Sequence, residues 1–152
     1  MYKKFKNNGK IEVIEGLKKK ADYKDLKTIA RCFASKGDSV KITTDIHFKD
    51  KKYKEVFGGL IGTKYERKCP DFIINGKFYE YESYTPPISK RNFNNMFTRG
   101  LSQANNLIID NNKSMVDRII KKTIFNRIRL GQEINEVWLF EKGKVRLLYK
   151  KQ

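Results

Sequence analysis

Pro70-Asp71-Phe72-Ile73-Ile74-Asn75-Gly76-Lys77-Phe78-Tyr79-Glu80-Tyr81-Glu82 is the stretch on which the reading of this chain turns. Two β-prone arms flank Asn75-Gly76, the dipeptide best suited to a two-residue type I′ hairpin turn. With that turn, Ile73 faces Phe78, Phe72 faces Tyr79 and Asp71 faces Glu80. Side chains alternate along a strand, so Cys69, Asp71, Ile73, Phe78, Glu80 and Glu82 share one side, while Tyr79 and Tyr81 take the other. Asp71 and Glu80 are then expected to bring their Cβ atoms roughly 4.5–5.5 Å apart. Like charges directly opposed are destabilising, so the pairing needs a reason. A divalent cation is one, because hard metals want clustered carboxylate oxygens. A solvated polar edge that binds nothing is the alternative.

Working outward, 152 residues with 39% hydrophobic and 12% aromatic content suit one compact domain with a real core. No apolar run approaches a membrane span, and the N-terminus lacks a signal-peptide core, so a cytoplasmic site of synthesis and action is expected. Charge is the strongest global signal: 34 Lys and Arg against 17 Asp and Glu leave +17. Such a surplus costs self-repulsion and is usually kept for a polyanion. Nucleic acid fits better than membrane, because the basic residues are spread through several elements. The one histidine, His47, argues against histidine triads, the usual zinc sites and paired-histidine ribonuclease chemistry. Cys32 and Cys69 fit no ligand spacing and read as reduced packing residues.

In chain order, residues 1–21 read as a basic N-terminal arm and 22–152 as a single domain. The arm's Ile11, Val13 and Ile14 fit a strand or a helix start equally. Asp22 is expected to cap a helix whose Leu26, Ile29, Ala30 and Phe33 share one face, with Asp25 completing the cap and Gly37 stopping it. Alternation from Val40 to Phe48 predicts a strand. Residues 49–54 read as a charged turn and 55–68 as a mobile glycine-containing loop without a phosphate-loop motif. Beyond the acidic hairpin, Pro86-Pro87 break the chain and Ser89 caps a helix burying Phe93, Met96, Phe97, Leu101 and Ala104. Leu107-Ile108-Ile109 predicts a strand covered on both faces. Ser114 is expected to open the next helix, with Val116, Ile119, Ile120, Ile124 and Ile128 inward and Arg127 among its basic polar residues. A closing hairpin, 136–149, turns at Lys142-Gly143. The sum is an α/β domain, a mixed sheet with flanking helices.

Pro70-Asp71 followed by Glu80-x-Glu82 resembles the PD-(D/E)xK nuclease signature. The wider pattern is similar to the C-terminal tRNase domain of CdiA-type contact-dependent growth-inhibition toxins. The matching parts are the helix and strand around Ala34–Val40, the hairpin, a helix with the late Gln103, an apolar strand and a closing hairpin. This resemblance implies a restriction-endonuclease-like core that cuts RNA with Mg²⁺ or another divalent cation. It implies Asp71 and Glu80 as metal ligands and Gln103 as a residue orienting substrate or site. The signature's lysine is replaced by Glu82, a third carboxylate that can add a ligand but no positive charge; Lys90 or Arg91, at the start of the next helix, could reach back instead. The first-helix acid of that family has no clear match among Glu15, Asp22 and Asp25.

Tyr84 is the tyrosine best placed to meet a nucleotide, and Lys90, Arg91, Arg99, Lys121 and Lys122 are expected to contact nucleic acid. Tyr79 and Tyr81 read as core. The function expected is a metal-dependent, toxin-like endonuclease acting on tRNA or another structured RNA, with a cognate immunity protein as partner. The runner-up is a degenerate nuclease fold that only binds nucleic acid. A metal-free, histidine-free ribonuclease is the third reading.

Overall fold

The computed structural model describes residues 2–4, 8–14, 22–84, 88–113 and 115–152. They form two compact units, Met1–Phe78 and Tyr79–Gln152, each described by itself. No helix among the described residues is long and apolar enough to cross a membrane.

In the first unit, strands β1 (Tyr2–Lys4), β2 (Lys10–Val13), β3 (Ser39–Ile42) and β4 (Phe72–Ile74) lie in that order in one sheet. β2 runs parallel to β3, and the other neighbours are antiparallel. Two stretches of the expected arm are therefore strands rather than a frayed end: Tyr2–Lys4 pairs with β2, and within β2 Ile11 pairs with Val40 and Val13 with Ile42. Helix α1 (Tyr23–Ala34) packs on β2 and β3 through the expected face, with Leu26, Ile29, Ala30 and Phe33 buried. Asp22 stands at its N-cap without a side-chain capping bond. Asp25 instead lies in the first turn, where the helix dipole favours an acid.

Two expectations fail between β3 and β4. The strand stops at Ile42, six residues before Phe48. Thr43 leaves the sheet ladder and ties to the chain approaching β4: its N–H donates to the Asp71 carbonyl at 3.0 Å and its hydroxyl to that of Pro70. The apparent alternation of Ile46 and Phe48 has another cause. Both pack on a small core of Tyr53, Phe57, Leu60 and Tyr65. Those residues sit on helix α2 (Lys51–Phe57), a 3₁₀ turn (Gly58–Leu60) and the turns that follow, so the expected charged turn and mobile loop are a folded insertion. Asp50 caps α2 by accepting from the Lys52 N–H at 2.9 Å, and the Tyr53 hydroxyl donates to the Lys68 carbonyl at 2.8 Å.

In the second unit, β5 (Lys77–Glu82, starting at the last residues of the first unit), β6 (Asn106–Asp110) and β7 (Glu136–Glu141) are parallel. β8 (Lys144–Lys150) returns antiparallel to β7. Helix α3 (Lys90–Leu101) connects β5 to β6, and α4 (Asp117–Arg129) connects β6 to β7. Ser89 caps α3 as expected, accepting from the Asn92 N–H at 3.1 Å. Leu107, Ile108 and Ile109 are fully buried. Leu107, Ile109, Val137 and Leu139 meet Phe93, Met96, Phe97, Leu101, Ile120 and Ile124 in one core between sheet and helices.

Helix α4 departs from expectation. It starts at Asp117 after Val116, and Ser114 and Pro86-Pro87 lie outside the described residues. Val116 and Ile119 are exposed rather than inward. Arg127 is not on a free basic face: it is half-buried, donating to Gln132 Oε1 at 2.6 Å, Thr98 Oγ1 at 2.7 Å and the Asn94 carbonyl. Burial lowers its pKa from the ordinary guanidinium value. Arg127 thus joins α4 to α3. The chain is α/β as expected, with a mixed sheet and packed helices in each unit.

Candidate nucleic-acid site

The Asn75-Gly76 turn has the expected geometry, with φ of 51° and 80°. Positive φ at both positions is what a type I′ turn requires, and glycine reaches it without steric cost. The Asn75 side chain fixes it to the start of β3. Its Oδ1 accepts from the Ser39 N–H at 2.9 Å and its Nδ2 donates to Asp38 Oδ1 at 2.8 Å. Asp71, just before β4 in the first unit, is buried, at 8% exposure. Pro70 beside it is buried too.

In the second unit, β5 alternates as the sequence implies: Tyr79 and Tyr81 are buried, Glu80 and Glu82 half-buried. The tyrosines are core residues with satisfied hydroxyls, donating to Glu136 Oε1 at 3.0 Å and Asp110 Oδ2 at 3.3 Å. Glu136, buried itself, also accepts from Trp138 Nε1 at 2.8 Å, a polar cluster that sequence reading missed. Glu80 pairs with Leu107 and Glu82 with Ile109, so both acids lie on the face that α3 and α4 cover.

Helix α3 presses closely on Glu82. A Cβ at Gly100 would stand 3.0 Å from Glu82 Cγ and 2.8 Å from Leu107 Cδ2, so any larger residue would require those side chains to shift. One residue earlier, Arg99 Nε lies 3.8 Å from Glu82 Oε2. The Glu82 side chain is 15% exposed and that of Arg99 59%. At that separation the contact is an ion pair rather than a hydrogen bond. No local spacing in the sequence announces it, since the partners are brought together by tertiary packing.

A polar cleft of ≈ 280 Å³ opens beside the end of β5, lined by Ser83, Tyr84, Ile88, Asn92, Asn95 and Arg99. Tyr84 is held in its wall. Its hydroxyl donates to Asn111 Oδ1 at 2.7 Å and its ring stands edge-on to Phe93 at 5.7 Å. Burial raises the pKa of its phenol. Tyr84 therefore offers a fixed edge, not a mobile stacking platform. A second cleft, of ≈ 360 Å³ between α3 and α4, brings Lys90 and Lys122 together with Asn94 and Asn126. Arg91 and Lys121 are exposed and line neither cleft. Gln103 follows α3, half-buried, its N–H donating to the Gly100 carbonyl at 3.0 Å.

Among the described residues no three or more His, Cys, Asp or Glu are grouped so as to hold a metal ion. Glu82, read from the sequence as a possible third carboxylate ligand, lies beneath α3 with Arg99 beside it. His47 has a structural task, its Nδ1 accepting from the Lys49 N–H at 3.1 Å. Cys69 packs against Ile46, its Sγ 3.4 Å from that residue's N and O, and both cysteines are free thiols.

No protein-family model matches the chain, and no curated protein matches it. Among solved structures it is similar to a chain of the CdiA-CT/CdiI toxin and immunity complex from Burkholderia pseudomallei. The two are 19% identical with a TM-score of 0.53, and the match covers 91% of this chain and 93% of that one. A likeness at this identity speaks for the fold, and the fold is the one that the sequence resemblance implied.

Proposed function

We propose that the protein is a toxin-like, divalent-metal-dependent endonuclease whose substrate is tRNA or another structured RNA. The observation that carries this reading is the Pro70-Asp71 hairpin. Its turn has the required dihedral angles, and it keeps a carboxylate at 8% exposure in a chain of net charge +17. Asp71 and Glu80 are the proposed metal ligands. Two carboxylates suit Mg²⁺, which binds through one or two such groups and fills its remaining positions with water or substrate phosphate. They do not suit zinc, which prefers thiolate and imidazole. When bound, the cation neutralises the acid pair and polarises a phosphoryl oxygen. Lys90 and Lys122 supply positive charge along the RNA backbone, with Arg91, Lys121 and Arg99 adding to the field. Gln103 is proposed to orient the substrate.

A nuclease of this kind harms the cell that makes it, so a cognate immunity protein is the proposed partner and the cytoplasm, where tRNA resides, the proposed site of action. The likeness to a chain from a toxin and immunity complex supports the proposed partner. The test is purified protein with total tRNA and plasmid DNA, with Mg²⁺ or with EDTA, beside Asp71→Ala and Glu80→Ala. RNA cleavage that needs Mg²⁺ and both acids is expected; cleavage indifferent to EDTA and to both substitutions overturns the reading. Glu82, standing where the signature has lysine, favours a second reading: a protein that binds nucleic acid without cutting it. Salt-sensitive binding with no cleavage under any divalent metal would establish that one instead.

A further inference from the structure

The cleft beside β5 is lined by side chains that donate. Asn92, Asn95 and Arg99 fall three and four residues apart, so they share one face of α3 and point along one line. Ser83, Tyr84 and Ile88 complete the lining, and among the described residues no carboxylate lines the cleft itself. Two amides, a hydroxyl and a guanidinium around ≈ 280 Å³ of space make a site for an oxyanion. Behind it stands Glu82, whose side chain is 15% exposed and which meets the guanidinium through Nε.

We infer that Arg99, oriented from behind by Glu82, grips a phosphodiester of the RNA strand in this cleft, so that positive charge absent from residue 82 is delivered from α3. The inference rests on the nuclease reading for its catalytic consequence but not for the phosphate contact. The layering explains why the charge sits where it does. Residue 82 lies beneath α3, and a cation there would be desolvated, which disfavours its charged form. On α3 the same charge lies at the surface, 59% exposed, while the half-buried Glu82 carboxylate draws its Nε side inward. Guanidinium is a planar fork of donors: Nε faces Glu82, and the two Nη groups belong to the edge that matches phosphate bidentately. Gly100 lets α3 lie this close, because a Cβ there would stand 3.0 Å from Glu82 Cγ and 2.8 Å from Leu107 Cδ2, and one of those side chains would have to shift. Arg99 is thus a substrate contact and Glu82 its positioning residue.

The experiment uses the full chain in two settings. In EDTA, binding of an unstructured RNA oligonucleotide is titrated over a range of salt; in Mg²⁺, tRNA cleavage is followed. Arg99→Ala is expected to lower the slope of log K against log salt by about 0.7, the value for one phosphate on a single strand. Cleavage should fall about tenfold or more. Arg99→Lys is expected to restore the slope but not the rate, since an ammonium keeps the charge and loses the fork. Glu82→Gln is expected to keep the slope and lower kcat, leaving the Mg²⁺ concentration for half-maximal rate unchanged. An Arg99→Ala protein with the parent slope overturns the phosphate contact. A Glu82→Gln protein that needs much more Mg²⁺ overturns the positioning role and returns Glu82 to the metal. If no divalent metal supports cleavage by the parent protein, the nuclease reading fails, and the slope alone still decides whether Arg99 holds phosphate. Matched thermal melts identify any variant that loses its fold, and for Arg99 the exposed position makes that loss unexpected.

Discussion

The acidic hairpin and the closing hairpin turn on the same backbone geometry. Asn75-Gly76 has φ of 51° and 80°, and Lys142-Gly143 has 50° and 75°. Their charges are arranged differently. Across the closing hairpin Glu136 faces Lys150 and Glu141 faces Lys144, the opposite-charge pairing that stabilises a sheet. The same turn in the acidic hairpin leads to a register in which Asp71 is expected to oppose Glu80. Surroundings differ as well. Phe72, Ile73 and Ile74 of β4 are all buried, whereas β8 is exposed or half-buried throughout. The closing hairpin is accounted for by stability alone. In the acidic one the expected opposition of Asp71 and Glu80 is a charge pattern that stability disfavours, and the chemistry proposed for that pair would account for it.

Three experiments break or sharpen that contrast. The largest effect is expected from Asp71→Asn. RNA cleavage should fall about 100-fold or more, at or above the roughly 10–100-fold typical of losing a residue that only supports a metal ligand, while the melting temperature stays level. A steep loss of stability beside intact cleavage would make Asp71 structural. Next come Gly76→Ala and Gly143→Ala. Each forces a Cβ into left-handed backbone, so urea unfolding should show losses of about 1–2 kcal/mol. Asn75→Ala should exceed Lys142→Ala, because the Asn75 side chain also bonds Ser39 and Asp38.

The smallest effect concerns Asp117, which takes two bonds from the Arg146 guanidinium of β8, at 2.7 and 2.9 Å. Those bonds hold its carboxyl below the ordinary value and raise that of the guanidinium. With the folded pKa depressed, the stabilisation is present above the ordinary carboxylate range and lost as pH falls through the folded value. Both partners are substantially exposed, so Asp117→Asn should cost less than about 1 kcal/mol at neutral pH. Urea melts of parent and variant should converge at about pH 2.

The sequence revealed most where conformation is set by one or two neighbouring residues. Both hairpin turns, the Ser89 cap and the doubly covered Leu107-Ile108-Ile109 strand follow from local chemistry. What it concealed depends on partners distant along the chain. Ile46 and Phe48 alternate like a strand but serve the core around Tyr53. The glycines at 58, 59 and 62 suggested looseness, yet Tyr53, Phe57, Leu60 and Tyr65 around them give the segment its own core. Arg127 looked like one more surface cation until its bonds to Asn94, Thr98 and Gln132 were seen. At the candidate site, the acids of the hairpin were legible. The Glu82–Arg99 pair was not, because its two members belong to different elements brought together only by packing.

The outermost strands give part of the positive charge a second meaning. Among the described residues β1 and β8 each pair on one side only, with β2 and β7, and so carry backbone donors and acceptors along an outer margin. Tyr2–Lys4 contributes Lys3 and Lys4 there, and β8 contributes Lys144, Arg146 and Lys150. Two copies approaching margin to margin would bring these cations together and repel before the strands could join. Such charge opposes edge-to-edge association, so substituting neutral residues on β8 would favour aggregation even with the residues proposed to meet RNA left in place.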